Sequence, residues 1–171
     1  MVVASQTAAE AAEAGVREVY LVDYGPLAGW ATILLGDRGL AEDVVVEAFA
    51  RLLQHWQDVH DPHAWLYATV ANLVHDHWRR RGREAAAYER LQAGVTDPDV
   101  APAGPDRDDV LSVREAVQTL PERLRVPVLL RYFADLSVLQ VAHQLGRSEG
   151  AVKRDLHDAR TLLAQSLGSQ R

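Results

Sequence analysis

The sequence predicts an all-α protein made of two small helical domains joined by a flexible acidic linker. Apolar residues recur at three- and four-residue steps through most of the chain, and no segment alternates convincingly as a strand would. Residues 95–110 are rich in Pro, Gly and Asp and hold almost no large apolar side chains, so they cannot bury enough surface to offset the entropy of ordering. We therefore expect domains at 1–94 and 111–171 with the linker between them.

The charge is unevenly distributed along the chain, although 48% apolar and 25% charged residues are ordinary for a globular protein. Residues 1–94 carry 8 basic and 13 acidic side chains, a net charge of −5. The linker carries 1 basic and 5 acidic side chains, a net charge of −4. Residues 111–171 carry 9 basic and 6 acidic side chains, a net charge of +3. The total of −6 argues against indiscriminate nucleic-acid binding but leaves room for local basic patches.

Several classes of protein are excluded by composition. The absence of cysteine rules out disulfides and thiolate zinc sites on this chain. The N-terminus lacks a basic start and an apolar core, so no export signal is predicted. No apolar run approaches the roughly 20 residues that span a bilayer. We expect a cytoplasmic protein without membrane insertion.

The first domain is predicted to hold three helices. Residues 1 to about 14 are expected to fray, and Gly25-Pro26 to start or kink a helix whose core residues include Tyr20, Val22, Leu27 and Trp30. A second helix carries Asp43 and Glu47 one turn apart. Without further context this carboxylate pair is an ordinary solvated surface.

A loop at 57–63 raises the question of a metal site. His55, His60, Asp61 and His63 lie close in sequence, but they lack a helical i, i+4 pair with a third ligand. We predict neither a metal nor a cofactor. A hydrolase or nuclease is a distant alternative, and it would draw on His60, Asp61, His63, His75 and His77.

The third helix combines an apolar stripe with a polar, Arg-rich face. Asn72, Asp76, Arg79 and Arg80 fall at three- and four-residue steps, and Trp65, Tyr67 and Trp78 add aromatic surface. Such groups contact phosphates and stack on unpaired bases. A core helix with a solvated basic end is the alternative, but the run of Arg79, Arg80, Arg81 and Arg83 exceeds what a helix end needs.

The second domain ends in a predicted helix-turn-helix. Gly146 suits a left-handed cap and Ser148 suits the start of the next helix, which carries Lys153, Arg154, His157 and Arg160 away from its apolar face. A basic second helix after a tight turn is what major-groove binding requires. Glu149, Asp155 and Asp158 dilute the positive charge, so an ordinary helical hairpin stays open as an alternative. Earlier in the domain, Pro121 is expected to open a helix, with Tyr132-Phe133 in the core.

Three ordered blocks resemble the extracytoplasmic-function (ECF) group of bacterial RNA polymerase sigma factors. The resemblance spans about residues 17 to 167, and the blocks are LLGDRGLAEDVVVEAFARL, DPHAWLYATVANLVHDHWRRRGR and LPERLRVPVLLRYFADLSVLQVAHQLGRSEGAVKRDLHDARTLL. Three blocks with matching spacing are far more specific than one helix-turn-helix. The one departure noted is Val46, where the family usually has Gln.

The resemblance implies a non-enzymatic protein that directs promoter recognition and transcription initiation. Its partners would be the clamp helices of the core polymerase's largest subunit, promoter DNA and an anti-sigma factor. It implies polymerase binding through Asp43 and Glu47. It also implies −10 contacts by His60, Asp61, Asn72, Asp76, Arg79, Arg80, Arg81 and Arg83, and −35 contacts by Ser148, Lys153, Arg154, His157 and Arg160. Val46 supports an alternative, a sigma-like regulator or decoy that binds an anti-sigma partner without initiating transcription.

The acidic linker yields a first prediction. In the family the connector threads toward the RNA exit path, where negative charge would mimic nucleic acid until the transcript displaces it. Replacing its five Asp residues by Asn is expected to change the yield of abortive transcripts in an initiation assay. Unchanged abortive synthesis would argue against this role.

Overall fold

The protein, described here from a computed structural model over residues 2–92 and 113–168, folds into seven α-helices within those ranges. They are α1 (Val2–Leu35), α2 (Arg38–His55), α3 (Pro62–Gln92), α4 (Val113–Thr119), α5 (Glu122–Val128), α6 (Val138–Leu145) and α7 (Glu149–Gly168). The described residues contain no strand, so the all-α prediction is confirmed for them. None of these helices is long and apolar enough to cross a membrane. The predicted linker at 95–110 lies outside the described ranges.

Helix α1 is longer than the sequence suggested. It starts at Val2, so the prediction that the first 14 residues fray is wrong, and it runs through Pro26 without starting there. Gly15 permits this extension, because a Cβ built on it would overlap the Trp56 indole beyond the end of α2. The close approach gives the N-terminal half of α1 a packing partner, and packing rather than intrinsic propensity holds most helices together.

The buried face of α1 is shifted from the predicted one. Leu27 and Trp30 are buried as expected, whereas Val22 is 72% exposed and Tyr20 is 41% exposed. The ring of Tyr20 lies across the surface instead, 4.6 Å from Tyr24 and 5.1 Å from Phe49 between centroids. The prediction that Tyr20 and Val22 belong to the core is therefore wrong, because apolar spacing alone did not fix where the stripe faces α2.

Helix α2 starts as a capped amphipathic helix. Gly36, at φ 70°, ends α1, and the backbone N–H of Leu40 donates to Asp37 Oδ1 at 2.9 Å. The apolar face of α2 is buried at Val44, Val45, Ala48, Phe49 and Leu52, whereas Leu53 is 42% exposed.

The second half of the chain contains an unforeseen π-helical turn, Leu129–Phe133, directly after α5. The Ala134 N–H donates five residues back to Leu129 O at 3.0 Å, which inserts one extra residue and shifts the helical phase. Tyr132 and Phe133 are consequently 46% and 39% exposed, so their assignment to the core is wrong. Pro121 does precede α5, as predicted.

The two groups of helices pack against each other. We call α1 to α3 the first module and α4 to α7 the second module. Most helix packing lies within a module, yet α3 also contacts α5 and α6, and the buried apolar residues form one connected cluster. The sequence left open whether the halves touch, and in this structure they do. The boundaries 1–94 and 111–171 stay a prediction.

A pair of glycines in α1 tests the packing against Trp56. Gly15→Ala is expected to lower the free energy of unfolding by about 1 kcal/mol or more, because the new methyl overlaps the indole. Gly29→Ala is the matched control, since a Cβ there meets nothing within 4 Å. It should raise the same free energy by about 0.8 kcal/mol, the usual gain over Gly in a helix. Urea unfolding followed by circular dichroism measures both, and equal effects would contradict the packing role.

Candidate nucleic-acid interface

Helix α7 presents a basic face to solvent. It begins after Ser148, whose Oγ accepts a hydrogen bond from the Ala151 backbone N–H at 3.2 Å, and Gly146 ends α6 at φ 60° and ψ 36°. Both predicted turn signals are therefore confirmed. Val152, Leu156 and Ala159 are buried on the opposite face. The exposed side chains are Lys153, Arg154, His157 and Arg160.

Asp155 faces inward and does not dilute this basic face. Its side chain is 5% exposed, and its two oxygens accept from Arg123 at 2.7 Å and Arg147 at 2.5 Å. Arg123 also pairs with Asp158 at 2.9 Å, and these contacts raise the pKa of the guanidinium. The expectation that Asp155 weakens a DNA-facing surface is wrong. The carboxylate instead joins α7 to α5 and to the turn between α6 and α7.

Helix α6 starts with a capping box that was overlooked in the sequence. The Gln140 backbone N–H donates to Ser137 Oγ at 3.1 Å, and the Ser137 N–H donates to Gln140 Oε1 at 2.9 Å. The signal was present in the sequence as Ser followed by Gln three residues later. This reciprocal cap fixes the start of the first helix of the helix-turn-helix.

A second polar face lies along α3. Asn72, Asp76, Arg79 and Arg80 are exposed on the same side of the helix, and Arg81 and Arg83 are exposed beyond them. Arg79 Nε lies 3.4 Å from Glu122 Oε2 of α5. The face therefore offers amide, carboxylate and guanidinium groups, of which one guanidinium already has an anionic partner.

The aromatic side chains of α3 are less available than the sequence suggested. Trp78 is 7% exposed and Tyr67 is 8% exposed, so neither provides a free surface for stacking bases, contrary to expectation. The Tyr67 ring packs 5.2 Å from Trp30, and burial raises the pKa of its hydroxyl. Trp65 is half-buried, 6.2 Å from His55.

The loop before α3 holds Asp61 in a structural position. Asp61 Oδ1 accepts from the Ala64 backbone N–H at 3.0 Å, which caps α3, and Oδ2 accepts from Gln140 Nε2 at 3.1 Å. His60 is exposed. His63 Nδ1 lies 2.6 Å from Asp23 Oδ1, a carboxylate that is almost buried.

The other two histidines of α3, His75 and His77, are partly buried. Burial lowers the pKa of His75 below its ordinary 6.5, against the opposing effect of Glu122. The pKa of His77 is also lowered, mainly by burial and to a smaller extent by the positive charges of Arg81 and Arg80. In residues 2–92 and 113–168 no three His, Asp or Glu side chains come together to hold a metal.

The exposed face of α2 carries the two carboxylates singled out earlier. Asp43 and Glu47 are exposed, and Glu47 Oε1 accepts from Arg51 at 2.6 Å. Val46, which lies between them in the sequence, is 55% exposed. These side chains lie on a different helix from the polar face of α3.

A helix-turn-helix with an outward basic helix, together with a second Arg-rich helix face, is typical of a helical DNA-binding protein. Family models for Sigma-70 region 2 and Sigma-70 region 4 match residues 21–84 and 111–163. Each match falls within one module. The first covers α2, most of α3 and the C-terminal part of α1, and the second covers α4 to α6 and most of α7.

Characterised relatives extend the similarity over nearly the whole chain. The ECF RNA polymerase sigma factor SigL of Mycobacterium tuberculosis is 33% identical over 95% of this chain and 97% of its own length. The RNA polymerase sigma-E factor of Streptomyces coelicolor is 30% identical over 74% of this chain and 71% of its own length. The chain therefore belongs to the ECF RNA polymerase sigma factors, which bind core polymerase and direct it to promoters.

A solved structure has the same fold at low sequence identity. The sigma factor RpoE of Bartonella quintana, in complex with the anti-sigma factor NepR, superposes with a TM-score of 0.60. It is 23% identical and covers 91% of this chain and 98% of its own. This likeness supports the helical architecture alone.

Asp155 provides a test of how the recognition helix is held. Asp155→Ala leaves two guanidinium groups without their shared carboxylate and is expected to cost about 2 kcal/mol of unfolding free energy. Asp158 lies on the same helix and pairs with Arg123 at a more exposed position. Asp158→Ala should therefore lower the free energy of unfolding by about 0.5 kcal/mol or less. Urea denaturation compares the two. Equal losses of unfolding free energy in the two variants would show that the buried Asp155 carboxylate stabilises the fold no more than the exposed Asp158 carboxylate does.

Proposed function

We propose that the two modules divide promoter recognition between them. Helix α7 binds the −35 element, and the polar face of α3, together with the loop before it, binds the −10 element. The observation that carries this proposal is the separation of the two basic faces: each lies on a different module, and each module matches a different sigma-70 region. Two linked, individually weak contacts raise the effective concentration of one module at its site once the other has bound.

The −35 contacts are assigned to Ser148, Lys153, Arg154, His157 and Arg160. The side chains from Lys153 onward point to solvent, whereas Asp155 is turned inward. Cationic and hydrogen-bonding groups on the exposed side of a recognition helix reach phosphates and base edges in the major groove. The inward turn of Asp155 strengthens this assignment, because it leaves the outer face more positive than the sequence implied.

The −10 contacts are assigned to the face of α3 and to the preceding loop. Asn72 and Asp76 offer hydrogen-bonding groups, and Arg79, Arg80, Arg81 and Arg83 offer positive charge. His60 and Asp61 lie at the N-terminal end of the same helix. Capture of an extruded base costs a few kcal/mol, which stacking and hydrogen bonds to that base must offset. Because Trp78 and Tyr67 are buried, we assign this capture to polar groups and not to those rings.

Core polymerase is proposed to bind the exposed face of α2 through Asp43 and Glu47. The Arg51 side chain pairs with Glu47 in the free chain and would have to share it with the partner. Val46 adds exposed apolar surface beside them on the same helix. It also keeps a second candidate function in view, a sigma-like regulator that binds an anti-sigma partner without initiating transcription. We also propose an anti-sigma partner for this chain, a cytoplasmic site of action and no catalytic activity of its own.

Reconstitution tests the proposal. The purified chain, added to core polymerase on genomic DNA fragments, is expected to give transcripts with defined start sites. Arg154→Ala and Arg80→Ala should each lower promoter affinity roughly tenfold. Arg90→Ala is the matched control, because this exposed arginine lies further along α3 and its Nε donates to Ala86 O at 3.0 Å.

Start-site mapping and anisotropy of labelled promoter DNA provide the readouts. Polymerase binding without specific transcripts would favour the regulator. An equal loss in the Arg90 variant would contradict the assignment of the two faces. Val46→Gln, compared in the same assay, separates a weakened polymerase surface from one that tolerates valine.

A further inference from the structure

The residues between α2 and α3, 56–61, form a short connection that we call the α2–α3 loop. It carries His60 and Asp61, both assigned to the −10 element. Asp61 caps α3, whereas His60 and Asp58 are exposed. A binding loop presents its exposed side chains in one arrangement only where a rigid scaffold fixes it. The contacts at the two ends of this loop therefore bear on what it can recognise.

The start of the α2–α3 loop is anchored on α1 by the Trp56 indole. A Cβ built on Gly15 of α1 would overlap that ring, so the ring lies directly against the helix backbone. Trp56 also packs against the apolar cluster, as does Val59 further along the loop. Gly15 lies before residues 21–84, which match the region 2 family model. The first anchor thus comes from a part of α1 outside the matched region.

The end of the α2–α3 loop is anchored on α1 by an ion pair at the first turn of α3. His63 Nδ1 lies 2.6 Å from Asp23 Oδ1, and the Asp23 side chain is only 12% exposed. The His63 ring also lies 4.8 Å from the Tyr67 ring between centroids. Burial raises the pKa of the Tyr67 hydroxyl, and the nearby charge of Asp23 raises it further. His63 is thus held by a hydrogen bond and by a ring contact.

Both anchors belong to one continuous helix. Eight residues separate Gly15 from Asp23, which corresponds to roughly 12 Å of helix at 1.5 Å per residue. Because α1 is unbroken between them, the two ends of the loop are held at a constant separation. The Asp23 contact is also demanding, since a nearly buried carboxylate that loses its partner is costly in free energy.

We infer that Asp23 is a positioning residue for promoter recognition: through His63 it fixes the α2–α3 loop, and α1 thereby sets how sharply the loop distinguishes bases of the −10 element. This inference rests on the proposed function, because it takes the loop as part of the −10 site. Asp23 acts on selectivity without touching DNA. A mobile loop rearranges to suit several bases, so its affinities for the preferred base and for the others become more alike.

Mobility of the loop in the free chain provides the first test. The chain has no cysteine, so Asp58→Cys accepts one spin label at an exposed loop position. The labelled chain also carries Gln140→Ala, which removes a separate hydrogen bond to Asp61. Continuous-wave electron paramagnetic resonance should show a restricted label, and adding Asp23→Ala should sharpen the lines. Sharp lines before Asp23 is replaced, or unchanged lines in the folded Asp23→Ala chain, would overturn the inference.

Base selectivity at the −10 element provides the second test. The chain, assembled with core polymerase, is bound to fork-junction DNA made from a promoter identified by start-site mapping. Each single-stranded −10 position carries each of the four bases in turn, and anisotropy gives the affinity for each DNA. At the captured position the native chain should prefer one base about tenfold or more. Asp23→Ala and His63→Phe should reduce this preference to about threefold or less, because the supporting contact is lost.

Two substitutions of His63 separate the hydrogen bond from the ring contact. His63→Phe keeps a ring beside Tyr67 but has no donor, whereas His63→Asn keeps an N–H donor in the position equivalent to Nδ1 and has no ring. The asparagine variant should retain the native base preference. A native preference in a folded His63→Phe chain, or a loss in His63→Asn equal to that in His63→Phe, would overturn the inference.

A variant of α1 provides the matched control for stability. Ala31 is buried on α1, eight residues beyond Asp23, and a glycine in the helix interior destabilises the first module without removing a loop contact. Ala31→Gly should therefore lower the unfolding midpoint in urea and leave the base preference unchanged. A loss of preference as large as that in Asp23→Ala would show that selectivity follows general stability, and the assignment to Asp23 would fail.

The native chain distinguishes failure of this inference from failure of the proposed function. Equal affinity for all four bases at every −10 position, with no effect of His60→Ala, would contradict the proposed role of the loop. The label spectra would then still decide whether Asp23 fixes the loop. If the native chain discriminates and the folded Asp23→Ala chain discriminates equally well, the proposed function stands and the inference is overturned.

Discussion

The packing of α3 against helices of both modules is the constraint on which the rest of the structure depends. Val70 and Val74 are buried in the apolar cluster, while the opposite side carries the polar groups assigned to DNA. A helix that must bury one stripe has a fixed orientation, so the position of its polar face follows from the core. Because α5 and α6 also contact α3, the same helix sets where the second module lies.

The second module orients its recognition helix with charge as well as with apolar contact. Val152, Leu156 and Ala159 are buried, but apolar burial is not directional and does not by itself set the angle of a helix. Asp155 helps to set it, because it accepts from Arg123 on α5 and from Arg147 in the turn. Hydrogen-bonded charge pairs have strict geometry, so the angle of α7 is tied to its two neighbours. An acidic residue within a DNA-binding helix thus serves the interface by turning away from it.

Contacts within each module differ in kind and extent from the contacts between the two modules. Most helix packing lies within a module; between the modules the apolar cluster continues through α3, and the polar contacts are few and partly exposed. Free energies of this kind are small compared with those of a buried core.

The sequence by itself determined the helical class, most helix starts and the residue types on each face, because these depend on local spacing, capping and proline. Ser148, Gly146 and Pro121 carried that information within a few residues. Only the tertiary structure decided which way Asp155 and Trp78 point, that α1 extends to Val2 and packs Gly15 against Trp56, and that a π-helical turn exposes Tyr132. It also decided that Gln140 meets Asp61, 79 residues away along the chain. Each of these depends on which side chain a distant element brings near, and periodicity along one helix contains no information about its neighbours.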